Sequence, residues 1–146
     1  MKSYLSADNL TNLMWWVDGS YGVHWDSKGH TRAMMSMGKG AIVNVSRRHK
    51  LNVGSSTESE LVSIADVLGV MIWCKYFMEA QGYTIDNNLL YQDNKSTIFL
   101  AKNGHMSAGK VARQAGTSIT DSFSFLRSYH LLKLRRHTDR GGQTFG

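Results

Sequence analysis

A mixed α/β layer fold is predicted for this chain by three observations. Three short apolar runs separated by turn residues fill the first third. A single long stretch of helical spacing then runs from Glu58 to Gly82, and a compact apolar strand ending in Asp93 is followed by a second helical stretch. The order strand, strand, strand, helix, strand, helix calls for helices packed on a mixed sheet. At 146 residues one domain is the default, and a chain of that size hides roughly two-thirds of its unfolded surface.

Leu13-Met14-Trp15-Trp16-Val17 is an apolar, aromatic run halted by Asp18-Gly19-Ser20-Tyr21-Gly22, and it reads as a buried strand ending in an acid. His24 to Arg32 reads as a polar loop, and Ala33-Met34-Met35-Ser36-Met37 as a second strand whose methionines are packing residues. Gly38-Lys39-Gly40 lacks the full phosphate-loop pattern and reads as a tight hairpin turn. The β-branched residues of Ala41-Ile42-Val43-Asn44-Val45-Ser46 favour a third strand, so three consecutive antiparallel strands are expected.

Ser55-Ser56-Thr57-Glu58-Ser59-Glu60-Leu61 carries a helix start signal, with Ser56 or Thr57 as N-cap and Glu60 three residues after Thr57 in the capping-box position. The same stretch also reads as one that keeps one of its two glutamates for chemistry. Leu61, Ile64, Ala65, Leu68, Met71, Ile72 and Met78 then recur at helical spacing up to Gly82, and Trp73, Tyr76 and Phe77 are expected to widen the face that packs on the sheet. Leu89-Leu90-Tyr91-Gln92 is a strand ending in Asp93-Asn94, and residues 95–102 resume helical spacing until Asn103-Gly104.

The net charge of +6 and the pI near 9.6 fit a polyanionic partner. Arg47-Arg48-His49-Lys50 suits phosphate binding or an ordinary solvated face, whereas Lys133, Arg135, Arg136, His137 and Arg140 look like a disordered basic tail. The lone Cys74 cannot form an internal disulfide and reads as a buried small hydrophobe, in keeping with a reducing compartment. His24, His30, His49 and His105 lack paired metal-ligand spacing and read as surface or turn residues, so zinc is not expected. No apolar run approaches the roughly 18 uncharged residues of a membrane helix, and residues 1–12 lack the pattern of a secretory signal. The expectation is a soluble protein with no membrane partner.

Asp18 and Asp93 each directly follow an apolar strand, and Glu60 begins the helix between them. If the two strands lie side by side, the carboxylates emerge at one sheet edge, where hard cations such as Mg²⁺ prefer carboxylate oxygen. Close like charges raise one another's pKa unless a cation compensates, so such a cluster suggests a metal acting on a phosphodiester. Asp-Gly and Asp-Asn also simply end strands.

Trp16-Val17-Asp18-Gly19-Ser20-Tyr21-Gly22, Met35-Ser36-Met37-Gly38-Lys39-Gly40-Ala41, Ser55-Ser56-Thr57-Glu58-Ser59-Glu60-Leu61 and Tyr91-Gln92-Asp93-Asn94, in that order, resemble the ribonuclease H region of copia-type retrotransposon Pol polyproteins. The likeness covers approximately Leu5 to Lys110. It implies a ribonuclease H-like mixed sheet and removal of the RNA strand from RNA–DNA hybrids, with Mg²⁺ or Mn²⁺ as cofactor. By position it implies Asp18 as the first metal-binding aspartate, Glu60 as the helix glutamate and Asp93 as the aspartate ending the fourth strand. Glu60 is preferred to Glu58 because the family glutamate precedes a large apolar residue, here Leu61, whereas Glu58 sits in the first turn and favours the helix dipole. Arg47, Arg48 and Lys50 would then flank the hybrid, supplying sequence-independent phosphate contacts. The resemblance further implies reverse transcriptase and integrase regions in the same polyprotein, and a cytoplasmic location in virus-like particles of an active element.

Residues 1–12 would be the connection from an upstream polymerase region, 13–110 the ribonuclease H-like domain and 111–146 a basic tail. After Lys110 the family's basic-Thr-Lys-His-Ile element is absent. Moving each codon boundary by one nucleotide lets Val111-Ala112-Arg113-Gln114-Ala115-Gly116-Thr117-Ser118-Ile119 read Gly-Ser-Lys-Ala-Ser-Arg-His-Ile-Asn, so the tail is expected to be out of frame, and the C-terminal part of the fold missing. The family's fourth carboxylate would fall in that region. Asp139 lies at a plausible distance along the chain but lacks an apolar element to position it. The other expectation is a catalytically inactive nucleic-acid-binding remnant that uses Arg47, Arg48 and Lys50 without turnover.

Overall fold

Continuous apolar runs, Leu13-Met14-Trp15-Trp16-Val17 and Leu89-Leu90-Tyr91, build the centre of the sheet, their side chains pointing to opposite faces in turn. A computed structural model describes residues 4–50 and 52–98 and the backbone of 133–136. Its elements are β1 (Ser6–Ala7), β2 (Asn12–Ser20), β3 (His30–Ser36), β4 (Gly38–Lys39), β5 (Val43–Arg48), α1 (Ser56–Ala80), β6 (Asn87–Gln92) and β7 (Lys133–Arg136). The main sheet has the order β5-β3-β2-β6-β7: the first three strands are antiparallel neighbours, while β6 runs parallel to β2 and β7 parallel to β6. The expected mixed α/β sheet with three antiparallel strands followed by helix and strand is therefore present.

On one face of this sheet, Leu13, Trp15 and Val17 of β2, Ala33 and Met35 of β3 and Leu90 of β6 meet Ile64, Val67, Leu68, Met71 and Cys74 of α1. Each large apolar side chain so buried contributes roughly 1.5–3 kcal/mol. Asn88 Nδ2 donates to the Met71 carbonyl at 3.2 Å and ties the helix to β6.

Several boundaries differ from the sequence reading. β2 runs on through Ser20, because the ladder with β3 continues through Asp18↔Arg32, Gly19↔Thr31 and Ser20↔His30. Accordingly β3 begins inside the stretch read as a loop. Gly38-Lys39 is not merely a turn: it pairs antiparallel with Ser6-Ala7, and the turn falls at Gly40, whose φ of 85° suits glycine. The helix cap is Ser55 rather than Ser56 or Thr57, its side chain accepting from the Glu58 N–H at 3.2 Å. Glu58, not Glu60, reaches back over the first turn, its Oε2 accepting from Gly54 N at 2.7 Å.

The outward aromatics of α1 are a further correction. Trp73, Tyr76 and Phe77 are 61%, 53% and 47% exposed, with Trp73 and Phe77 stacked at 5.1 Å, because Ile64, Val67, Met71 and Cys74 already fill the face toward the sheet. At 25 residues α1 is also long and apolar enough to cross a membrane by length and composition, although Asp66 and Lys75 interrupt it, so no run of 18 uncharged residues is present in it. Met35 and Met37 are buried as expected, while Met34 is 40% exposed on the opposite sheet face. Cys74 is buried.

After β6, Asn94 caps a helix that starts at residue 95, its Oδ1 accepting from Ser96 N and Thr97 N at 3.0 and 3.2 Å. Within 111–146, set apart above as a basic tail, residues 133–136 lie beside β6 in the register Leu89↔Lys133 to Gln92↔Arg136. Their sequence signal is the apolar run Leu131-Leu132-Lys133-Leu134. Residues 99–132 and 137–146, with His105, His137, Asp139 and Arg140, lie outside the described residues.

Candidate active site

The parallel register of β2 and β6 aligns Trp16 with Tyr91, and two residues further on each strand carries an aspartate. Asp18, still within β2, and Asp93, directly after β6, thus each lie two residues beyond the last β2–β6 pair, and both are exposed to solvent. Glu60 arrives from the first turns of α1 and is only 8% exposed. Its Oε2 accepts from the Gly19 backbone N–H at 3.0 Å and from Gln92 Nε2 at 2.9 Å, while Oε1 takes no hydrogen bond among the described residues.

Close helix packing makes this possible. A Cβ on Gly19 would stand 2.7 Å from the Ser59 carbonyl oxygen and 2.7 Å from Ser63 Oγ, so only glycine lets α1 lie this near β2. Ser59 Oγ donates to the Ser20 carbonyl at 3.0 Å across the same contact. Gly19→Ala is therefore expected to push the helix start outward, lowering stability by roughly 1–3 kcal/mol and breaking the Gly19–Glu60 hydrogen bond. Urea unfolding measures the first, and an unchanged midpoint would show that the contact relaxes freely.

Burial, and after it the charges of Asp18 and Asp93, push the Glu60 carboxyl up to about 7 against the opposing hydrogen bonds from Gln92 and Gly19. The three acids therefore share one electrostatic neighbourhood. They are not drawn onto one point: among the described residues no group of three or more His, Cys, Asp or Glu side chains stands close enough to hold a metal ion. By donor chemistry the set suits a hard divalent cation, with two exposed carboxylates and one free Glu60 oxygen. Asp18 and Asp93 also line a 610 Å³ groove together with Trp16, Arg32, Met34 and Tyr91. Trp16 and Tyr91 stack there at 5.3 Å.

The basic cluster is divided by the strand it lies on. Register puts Arg47 opposite Thr31 and Arg48 opposite His30, hence on different faces of the sheet. Arg48 is ion-paired with Asp26, which also lies 3.8 Å from Lys28, and Lys50 is exposed.

His49 was expected at the surface but is only 1% exposed. Its Nε2 lies 3.0 Å from Ser63 Oγ, and Thr31 Oγ1 donates to Asp66 Oδ2 at 3.1 Å beside the same serine. His24 and His30 contact each other at 3.1 Å, and His30 reaches Ser46 at 2.8 Å. Burial holds the His49 imidazole below its ordinary pKa against the pull of Asp66. The neutral form thus favours the folded state, so its stability is complete above about pH 6.5 and declines as pH falls below it. Glu60 acts in the opposite sense between about 4.5 and 7, so the His49 contribution is read as the difference between wild type and His49→Gln in urea unfolding at pH 5 and pH 8. A larger wild-type loss at pH 5 is expected; equal losses would refute the assignment.

Two residues of the site escape motif reading. Gly19 looks like a turn residue, and Gln92 looks like the polar end of a strand; the signal for Gln92 is an amide at a buried strand position directly before an acid.

No protein-family model matches the sequence, and no curated protein matches it. By structure the chain is similar to LC11-RNase H1, isolated from compost by a metagenomic approach, with a TM-score of 0.60 and 7% identity over 86% of this chain and 84% of that one. A crystal structure of LC11-RNase H1 in complex with RNA/DNA hybrid gives a TM-score of 0.58 and 6% identity over 85% and 83% of the two chains. Prototype foamy virus protease-reverse transcriptase is also similar, with a TM-score of 0.54 and 12% identity over 98% of this chain and 20% of that one. At these identities the likeness is one of fold, and the fold is that of ribonuclease H.

Proposed function

We propose that this chain is a retrotransposon-derived ribonuclease H-like domain of the copia type, which hydrolyses the RNA strand of RNA–DNA hybrids with Mg²⁺ or Mn²⁺ held by Asp18, Glu60 and Asp93. The observation that carries this reading is that Asp18 of β2 and Asp93 directly after β6 each lie two residues beyond the paired Trp16 and Tyr91, with Glu60 hydrogen-bonded to their neighbours Gly19 and Gln92. The ordered motifs support the copia origin, and the ribonuclease H fold supports the reaction class. The complex of LC11-RNase H1 with RNA/DNA hybrid supports the substrate class.

Asp18 and Asp93, both exposed, would supply carboxylate oxygens from the sheet, and Glu60 its one free oxygen from the helix. A bound cation pair would supply charge stabilisation at a phosphodiester and a more acidic attacking water. Arg47, Arg48 and Lys50 would add backbone-phosphate attraction that weakens with salt. An A-form-like hybrid is recognised by shape and 2′-hydroxyls, so no base-reading motif is required. Residues 1–12 as connection, 111–146 as an out-of-frame tail and assembly beside reverse transcriptase and integrase regions in cytoplasmic particles belong to the same reading; the nucleotide sequence around codon 111 tests the frame.

The test of function is a panel of labelled RNA–DNA hybrid, RNA duplex and DNA duplex incubated with the purified chain and Mg²⁺. Cleavage confined to the RNA of the hybrid is expected. A folded chain that binds the hybrid in a salt-dependent way without cutting it would leave the nucleic-acid-binding remnant instead.

A further inference from the structure

Gln92 ends β6 and is 1% exposed, at a place where the other buried residues of the strand are apolar or tied to the helix. Its side-chain oxygen accepts from Asp93 N at 2.7 Å and Asn94 N at 3.3 Å. Those two donors fix which end of the amide is the carbonyl, so the NH₂ faces Glu60 and donates to Oε2 at 2.9 Å. Gly19 N donates to that same oxygen from β2. Three elements of the site, the end of β2, the start of α1 and the turn after β6, are thereby joined through one amide and one carboxylate.

We propose that Gln92 is a positioning residue for the acid site: it binds Glu60 to the Asp93-Asn94 backbone and turns the free Glu60 oxygen, Oε1, toward the two aspartates. The inference rests on the metal reading given above but concerns a different atom set. Without the amide, Glu60 would keep one hydrogen bond in a site that buries it among like charges, and would lose the constraint that selects Oε1 as its outward oxygen. Hydrogen-bond partners behind ligands tune metal affinity by about 10–100-fold.

Two variants separate the contributions. Gln92→Met removes both the donor to Glu60 and the acceptor for Asp93 N and Asn94 N and keeps the volume; Gln92→Asn keeps a neutral amide but withdraws it from Glu60 by one methylene. The first arm uses metal-free protein at pH 8 and follows the amide resonances of Gly19, Asp93 and Asn94 by NMR. Both variants are expected to shift Gly19, whose N–H shares Glu60 Oε2 with the Gln92 amide, and Gln92→Met also strongly shifts Asp93 and Asn94. A Gly19 amide unmoved in a folded variant overturns the proposal. The second arm titrates Mn²⁺ by electron paramagnetic resonance, with roughly tenfold weaker binding expected in both variants. Wild-type affinity in the variants also overturns it, since a merely structural glutamine would alter melting and not affinity. If the wild type itself binds no Mn²⁺, the metal reading fails while the amide arm still decides whether Gln92 positions Glu60.

Discussion

Asp93→Asn is expected to abolish cleavage of an RNA–DNA hybrid while leaving the domain folded. The side chain is exposed, and what holds the turn is its backbone N–H, which donates to Gln92 and which asparagine retains. Stability should therefore change by less than about 0.5 kcal/mol, as for other surface substitutions. Activity is a separate matter. A carboxylate that helps hold a cation at the reacting phosphate contributes several kcal/mol of charge stabilisation, and a loss of roughly 4 kcal/mol is about a thousandfold in rate. Single-turnover cleavage beside a urea melt measures both quantities. A variant that cuts within about tenfold of the wild-type rate would remove Asp93 from the reaction.

Glu60→Gln is expected to stabilise the metal-free protein at alkaline pH. The Glu60 carboxyl is pushed up to about 7, first by burial and then by Asp18 and Asp93, so the folded state binds its proton more tightly than the unfolded state does. The sign follows directly: native stability falls as pH rises from about 4.5 to about 7, and the full penalty persists above that. A shift of this size corresponds to roughly 3 kcal/mol. Glutamine carries no charge and its oxygen still accepts from Gly19 and Gln92, so the variant should gain about that much at pH 8 and nothing at pH 4. Urea unfolding at the two pH values is the measurement, and an equal difference at both would show that the charge of Glu60 is not what strains the site. A divalent cation should narrow the difference at pH 8 by neutralising the wild-type carboxylate.

The legible part of this chain was its periodicity. β2, β3, β5 and β6 each carry a short apolar or β-branched run and α1 carries apolar residues at helical spacing; Asp93 stands where the β6 run stops, whereas β2 continues past Asp18 to Ser20. The choice of Glu60 over Glu58 came from the resemblance, through the apolar Leu61 beside it, and belongs to the proposal; Glu58 itself accepts from Gly54 N. What periodicity could not express was which apolar face a helix buries. Trp73, Tyr76 and Phe77 are apolar like the core residues beside them, yet Ile64, Val67, Met71 and Cys74 take the face toward the sheet and leave them outward.

Partnerships between distant backbone groups were equally invisible. Gly38-Lys39 looks like any turn until Ser6-Ala7 pairs with it, and His49 looks like one more residue of a basic run until Ser63 of the helix closes over it. The same holds for β7, whose four residues sit in a strongly basic stretch and acquire their element from the open edge of β6. In each case the determinant is a long-range contact, which local composition does not encode.

The central claim is that Asp18, Glu60 and Asp93, brought from a strand, a helix and a second strand, form one divalent-cation site. Mn²⁺ titration of the purified chain at pH 8, followed by electron paramagnetic resonance beside Asp18→Asn and Asp93→Asn, tests it most directly. The account predicts bound Mn²⁺ in the wild type and loss of that signal in both folded variants. Binding that survives both substitutions, or no binding by the folded wild-type chain with hybrid present, would contradict it.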